Sequence, residues 1–235
     1  DTNTTAYALT DKSGKVTTEG ASATSYNIKW DGETLTLNGA TITQGSHENA
    51  AIYFCDNSSL VLTGTNTVTG PGTSADFVNS YGIYVDSEVT LTISGSGSLT
   101  ATGGDATPNS GGESYGIYTW GDAIITSGTV TATGGAAEFQ SHGIYATGHV
   151  TISGGAVTAT GGSASGNSLS CGINATNGLT ISGGEVTATG GSASADSKAY
   201  SNGIDALRIT VAPAEGQQIA VTRGDNACLL YTSDA

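Results

Sequence analysis

Short stretches in which apolar and polar residues alternate strictly recur along this chain: LTLN at 35–38, VTIS at 150–153, VTAT at 157–160, LTIS at 179–182, VTAT at 186–189. Alternation with period two marks a β-strand with one face buried and one exposed. The strands recur inside a self-similar unit. GIYATGHVTISGGAVTATGG at 143–162 and GINATNGLTISGGEVTATGG at 172–191 are near-copies. GIYTWGDAIITSGTVTATGG at 116–135 and GIYVDSEVTLTISGSGSLTATGG at 82–104 are looser ones. Taking the isoleucine that opens each unit as the anchor gives Ile28, Ile52, Ile83, Ile117, Ile144, Ile173 and Ile204, at intervals of 24 to 34 residues. A unit of that length holds three short strands with turns between them, and such units stack.

The alternation assigns faces. On the second strand of each unit the inward residues are Leu35 and Leu37, Leu60 and Leu62, Leu91 and Ile93, Ala123 and Ile125, Val150 and Ile152, Leu179 and Ile181, and Ile209 and Val211. On the third they are Leu99 and Ala101, Val130 and Ala132, Val157 and Ala159, and Val186 and Ala188, with threonines facing out between them. One coil cannot bury its own apolar face, so coils must stack as parallel strands around a common aliphatic column. The fold expected is all-β: a single-stranded parallel β-helix (β-solenoid) of about seven three-strand coils over residues 27–211, right-handed. Residues 1–26 break the repeat and are expected to cap its open first coil; 212–235 drift from it and are expected to form a C-terminal cap. The last eight residues, CLLYTSDA, share neither its rhythm nor its composition, and suggest a chain that continues further. The Gly-Gly pairs suit corners with unusual dihedrals.

Composition narrows the partners. The 235 residues include 36 glycines, only 11% are charged, and the formal net charge is −14. Such a chain is a poor ligand for nucleic acid or an anionic membrane. No apolar run is long enough to span a bilayer, and the sequence opens without a signal peptide, as expected of a chain that was either trimmed or never had one. Cys55, Cys171 and Cys228 fall at unrelated repeat positions and form no metal spacing or evident disulfide framework.

Stacking turns each repeat position into a surface ladder. After the anchoring isoleucine come Lys29, Tyr53, Tyr84, Tyr118, Tyr145, Asn174 and Asp205, an outward file with four consecutive tyrosines. Tyrosine has a flat apolar face and a polar rim that suit a sugar ring or a protein partner, although such files also brace parallel strands. Tyr53, Tyr84, Tyr118, Tyr145 and Trp120 are the candidate ligand-binding residues. Before each GI stand Ser80, Ser114, Ser141, Ser170 and Ser201, followed by Tyr81, Tyr115, His142, Cys171 and Asn202. These serines are expected to bond the turn backbone; Ser141 and His142, adjacent on a strand, face opposite sides and cannot form a catalytic pair. A third ladder is acidic: Asp31, Glu33, Asp56, Asp86, Glu88 and Asp122 are candidate calcium ligands, the alternative being Asx-type turns on a solvated edge. A fourth is the threonine pairs 100/102, 131/133, 158/160 and 187/189, a flat array that resembles the surface of ice-binding solenoids. Outward threonine is also the ordinary filler of exposed strands. Phe77 and Phe139 lie on loops that return to a GI and are candidate exposed contacts.

The chain is not expected to be an enzyme. A polysaccharide lyase needs a basic residue to take the proton, yet Lys12, Lys15, Lys29, Lys198, Arg208 and Arg223 leave positions 30–197 with no Lys or Arg. A hydrolase needs two carboxylates facing one groove at fixed separation, and no repeat position departs from the pattern to mark one.

The phrases NIKWDGETLTLNGATI at 27–42, GIYVDSEVTLTISGSGSLTATGG and VTISGGAVTATGG resemble those of bacterial cell-surface proteins that carry a carbohydrate-binding-type, polysaccharide-lyase-like parallel β-helix. The resemblance covers residues 27–191. It implies an extracellular setting and an adhesin or glycan-binding role, with a polysaccharide or a host surface glycan or protein as partner and a monomeric chain. No catalytic or calcium motif of that family maps onto residues here. A structural stalk or host-protein scaffold is the alternative, ahead of a polysaccharide-active enzyme or an ice-binding protein.

Overall fold

The computed structural model describes residues 5–45, 47–106, 111–166, 169–193, 200–212 and 214–224. Its described strands form a β-solenoid with three principal sheets of ten, seven and six strands, and no helix. In one coil the chain passes through Ser58–Thr63 of the first sheet, Thr65–Thr69 of the second and Ser80–Val85 of the third, then returns to the first at Leu91–Gly95. Each strand pairs in parallel with its counterpart one coil away, so the six strands of the third sheet count about six turns rather than seven.

The inward residues stack in vertical files. Leu60, Ile93, Ile125, Ile152 and Ile181 are successive partners in the first sheet; Leu99, Val130, Val157 and Val186 in the second; Ile83, Ile117, Ile144 and Ile173 in the third. All are at most 1% exposed and form one continuous core. Each such side chain contributes about 1.5–3 kcal/mol by leaving water.

Two kinds of corner turn the chain. Between the first and second sheets the glycines occupy the left-handed region, as at Gly155 and Gly184 (φ 80° each). Between the second and third sheets the TATGG glycines are instead required by contact, not by dihedral. A Cβ on Gly135 would sit 2.6 Å from the Gly103 carbonyl oxygen, and one on Gly162 would sit 2.2 Å from that of Gly135. The serine ladder locks these corners. Ser114 Oγ donates to the Gly104 carbonyl (2.7 Å) in its own coil and accepts from Gly135 N–H (2.8 Å) in the next. Ser141 repeats the arrangement with Gly135 and Gly162 (2.6 and 3.0 Å). Ser80, Ser114, Ser141, Ser170 and Ser201 are all fully buried. The expectation that they bond the turn backbone is met.

The ends differ from the sequence reading. Ile28–Trp30 is not the first parallel coil: it pairs antiparallel with both Ala6–Thr10 and Thr34–Asn38, and with Val16–Thr17 these strands close the leading edge of the first sheet. Lys29 therefore does not join the tyrosine file; it pairs with Asp31 at 3.7 Å. At the other end Gln218–Thr222 is a parallel rung of the second sheet, against Glu185–Thr189, so the repeat runs past residue 212. Cys228 and the CLLYTSDA tail lie outside the described residues.

One inward position breaks the aliphatic pattern. Asn66 occupies the place held by Leu99 one coil on, and is fully buried. Its Oδ1 accepts from Ala40 N–H (2.9 Å); its Nδ2 donates to the carbonyls of Thr63 (3.1 Å) and Ser98 (3.0 Å), linking three coils. Asn66→Leu would complete the aliphatic file while leaving those groups without a partner, at about 1–3 kcal/mol for each buried orphan. The expected outcome is a lower thermal midpoint despite the more apolar core, read by circular dichroism.

Candidate functional site

The outer face of the third sheet is where the structure adds most to the sequence. In Ser80-Tyr81-Gly82-Ile83-Tyr84, Ser80 and Ile83 are both fully buried although an odd number of residues apart. The intervening glycine allows this by packing its backbone against the second sheet: a Cβ on Gly116 would lie 2.6 Å from Thr133 N and 2.8 Å from the Ala101 carbonyl oxygen. The bend puts Tyr81 on the same face as Tyr84. Two aromatic files result. One is Tyr53, Tyr84, Tyr118 and Tyr145; the other is Tyr81, Tyr115 and His142, which alternation alone would put on the opposite face. Ring centroids are 5.5 Å apart for Tyr81–Tyr115, 5.0 Å for Tyr118–Tyr145 and, across the files, 4.6 Å for Tyr81–Tyr84. The Gly within each SYGIY was the available signal, since an isolated glycine in a strand marks a break in its regular geometry.

The rings form a second small core rather than an open platform. Tyr115 is 1% exposed, Tyr118 7% and Tyr81 9%. Of the five candidate residues, Tyr118 is therefore covered, Tyr53, Tyr84 and Tyr145 are partly buried, and Trp120 is 47% exposed. The hydroxyls are tied down at the margin. Tyr53 donates to Asp86 (2.8 Å), Tyr115 to Glu113 (2.7 Å), and Trp120 Nε1 to the Tyr84 hydroxyl (3.0 Å). The bond to Asp86 pushes the Tyr53 phenol up to about 12, and burial does the same for Tyr81. Burial also raises the Glu113 carboxyl, against hydrogen bonds from Tyr115 and Asn79 that lower it.

His142 sits fully buried beside Tyr115 and Tyr145. Its Nδ1 accepts from Cys171 N–H (3.0 Å), and its Nε2 lies 3.0 Å from Gln140 Oε1. Desolvation depresses its pKa from 6.5 to about 3, so the ring is neutral. Ser141 Oγ, engaged with the glycine corner, is not its partner.

Beyond Tyr145 the aromatic file ends. Asn174 and Asp205 take the same position in the next two coils. Here a groove of about 400 Å³ opens, with Tyr145 as one wall, Asn174 and Asp205 along it, and Gln140, Leu169 and Leu207 at its borders. Tyr145 is held by the stacked Tyr118 ring (interplanar angle 10°) and by His142 (28°). Burial raises the Asp205 carboxyl, and among the described residues no hydrogen-bond donor or cation reaches it.

The acidic ladder does not assemble into a calcium site. Among the described residues no three His, Cys, Asp or Glu side chains come together as a metal-binding set. Asp31 instead accepts from Thr34 N–H (2.8 Å), Asp56 from Asn57 N–H (2.8 Å), and Asp122 from His149 N–H (2.7 Å). Asp86 serves the tyrosine hydroxyls. Glu33 and Asp56 border an open cleft of about 690 Å³ that also contains Trp30 and Asn57, while Glu88 joins neither set. The turn-forming alternative accounts for Asp31, Asp56 and Asp86, which each accept from a backbone N–H of their own turn, whereas Asp122 reaches the backbone of the next coil. Phe77 and Phe139 are exposed, at 77% and 47%.

With this geometry in view, a family model described as the β-helix repeat matches the chain four times, at residues 91–117, 124–144, 150–169 and 179–204. These stretches carry the β-helix repeat, in a chain that folds into a β-solenoid. No curated protein and no solved structure matches it.

Two outcomes follow from the aromatic face. Between about pH 6.5 and 3 the unfolded chain takes up a proton at residue 142 that the folded chain does not, so this histidine's contribution is complete above 6.5 and is lost as pH falls. Glu113 and Asp205, raised in the fold, act in the opposite direction, favouring the fold at low pH. The thermal midpoint should therefore fall more from pH 7 to 5 in the parent than in His142→Asn, a side chain that Asn202 already places in the stack. Tyr118→Ala, which opens a void in a packed cluster, should destabilise by about 2–5 kcal/mol in denaturant titrations, well above the effect of Tyr53→Ala at the rim.

Proposed function

We propose that this chain is an extracellular, non-catalytic glycan-binding module of the surface-adhesin type. The observation that carries the reading is the groove at the end of the tyrosine file. Tyr145 offers a partly exposed ring fixed by its stacked neighbours, and the groove is lined beside it by Asp205 and by Asn174, which is itself largely buried at 8% exposure. A pyranose fits that chemistry: its apolar face lies on the ring and its hydroxyls donate to the carboxylate and exchange bonds with the amide. A site on rigid strands is preorganised, so little order must be imposed on binding. Trp120, one coil back and half-exposed, gives a longer chain a second aromatic contact. With Asp205 in the groove and a net charge of −14, the fitting ligand is a neutral polysaccharide rather than an acidic one.

Catalysis has little support. Asp86 and Glu113 hold tyrosine hydroxyls, and the groove has one carboxylate where hydrolysis uses two. The extracellular setting rests on the resemblance of residues 27–191 to bacterial surface proteins.

The test is a glycan array followed by calorimetry on the best neutral ligand. Tyr145→Ala and Asp205→Asn should each weaken binding about tenfold or more, equivalent to about 1.4 kcal/mol, with the fold intact by circular dichroism. Binding unchanged in both variants, or an array with no neutral glycan bound, would overturn the proposal.

A further inference from the structure

We propose that the outer face of the second sheet is a separate binding surface that adsorbs to ice. Its threonines extend beyond the four pairs visible in the repeat. One file runs through Thr41, Thr67, Thr100, Thr131, Thr158 and Thr187, each the register partner of the next. A second runs through Thr69, Thr102, Thr133, Thr160, Thr189 and Thr222. All twelve are at least partly exposed, and among the described residues no protein group engages any of their hydroxyls.

Three observations separate this face from ordinary strand filler. Both threonines persist where the rest of the repeat has changed, in TNTVT at 65–69, and Thr222 continues the second file in QIAVT at 218–222, where Ala220 ends the first, so copying of the TATGG unit does not account for them. The corresponding outward file of the first sheet is not uniform: Thr34, Ser59, Thr92, Ile124, Thr151 and Thr180. The third sheet carries aromatics. Only the second sheet holds one side chain over two adjacent files.

The geometry sets the ligand class. Parallel strands repeat at about 4.8 Å, and outward residues two apart on a strand are separated by about 6.6 Å. The two files thus form a flat lattice of hydroxyls and methyls about 24 Å long. Threonine is stiff at χ1, so the lattice is held still. Each hydroxyl offers one donor and two lone pairs to water, and the methyls between them leave water no competing partner. Rows of oxygen atoms on the faces of hexagonal ice recur at nearly the same two intervals, so water ordered on this face is already placed as a layer of the crystal. No charged side chain stands within the two files; Glu185 lies at their margin.

The experiment measures thermal hysteresis and inhibition of ice recrystallisation with the whole chain. The parent protein should hold ice crystals without growth below their melting point, and Thr131→Lys combined with Thr158→Lys should reduce both signals to those of an equal mass of serum albumin. Thr151→Lys, the same change on the first sheet, should leave them at the parent level. Circular dichroism verifies the fold; if the double variant is unfolded, the exposed single change Thr158→Lys is read in its place. A parent protein with no hysteresis and no inhibition, or a folded threonine variant that keeps both, overturns the proposal. Neither result depends on the Tyr145 groove.

Discussion

The structure depends on one constraint: every coil must lie directly on the coil before it. A single turn of this chain has no interior, because its three short strands enclose only a thin layer of aliphatic side chains. Burial is achieved along the stack, where Ile83, Ile117, Ile144 and Ile173 each cover the next. Anything that lifted one coil would expose two layers at once. This is why the corners are as strict as the core. Glycine stands where backbone meets backbone, and a buried serine bridges each corner to the one above it. The hydrogen bonds are individually modest, about 0.5–1.5 kcal/mol net, but they fix the height at which the apolar layers meet.

That constraint makes the surface as ordered as the interior. A side chain facing outward has a neighbour of the same repeat position about 4.8 Å away on either side. Each sheet develops the consequence differently. On the third, aromatic rings at that spacing close over one another and become a cluster that buries Tyr81, Tyr115 and Tyr118 and leaves Tyr53, Tyr84 and Tyr145 partly exposed at its margin. On the second, threonines too small to cover one another remain open to water. On the first, the mixture of Thr, Ser and Ile gives no uniform surface. The two proposed binding surfaces accordingly differ in kind: one lies at the interruption of a ladder, the other along a ladder's length.

The sequence made the fold legible because alternation and repetition agreed: nearly every inward residue assigned from period two is buried. It misled where the parity of the strand changes. Tyr81, Tyr115 and His142 look as though they should face away from Tyr84, Tyr118 and Tyr145, but the glycine between them bends the strand and brings both sets to one face. This is also why the four tyrosines are less open than a single file would be. The groove at Tyr145 was visible only as a fading of the file to Asn174 and Asp205; its depth comes from the loss of two large rings, which spacing cannot express. The acidic residues recur in the same turns, yet Asp31, Asp56 and Asp86 are held by N–H groups of their own turns, Asp86 also by the Tyr53 hydroxyl, and Asp122 by the backbone of the next coil, so they do not converge. The boundaries slipped because Ile28 carries the anchor residue of the repeat in an antiparallel strand, and because Gln218–Thr222 keeps the strand pattern after its neighbours have lost the repeat's wording.

Asn66 has a consequence that concerns counting. A stack of near-identical units has no intrinsic way to tell its fourth layer from its fifth, and a chain that skipped or doubled a layer would still match Val to Val and Thr to Thr. The amide of Asn66 ends that ambiguity. It accepts from the N–H of Ala40 below and donates to the carbonyl of Ser98 above, and above it the described residues of the file are aliphatic: Leu99, Val130, Val157, Val186 and Ile219. A single polar side chain in an otherwise uniform file thus acts as the index mark from which the remaining layers are numbered.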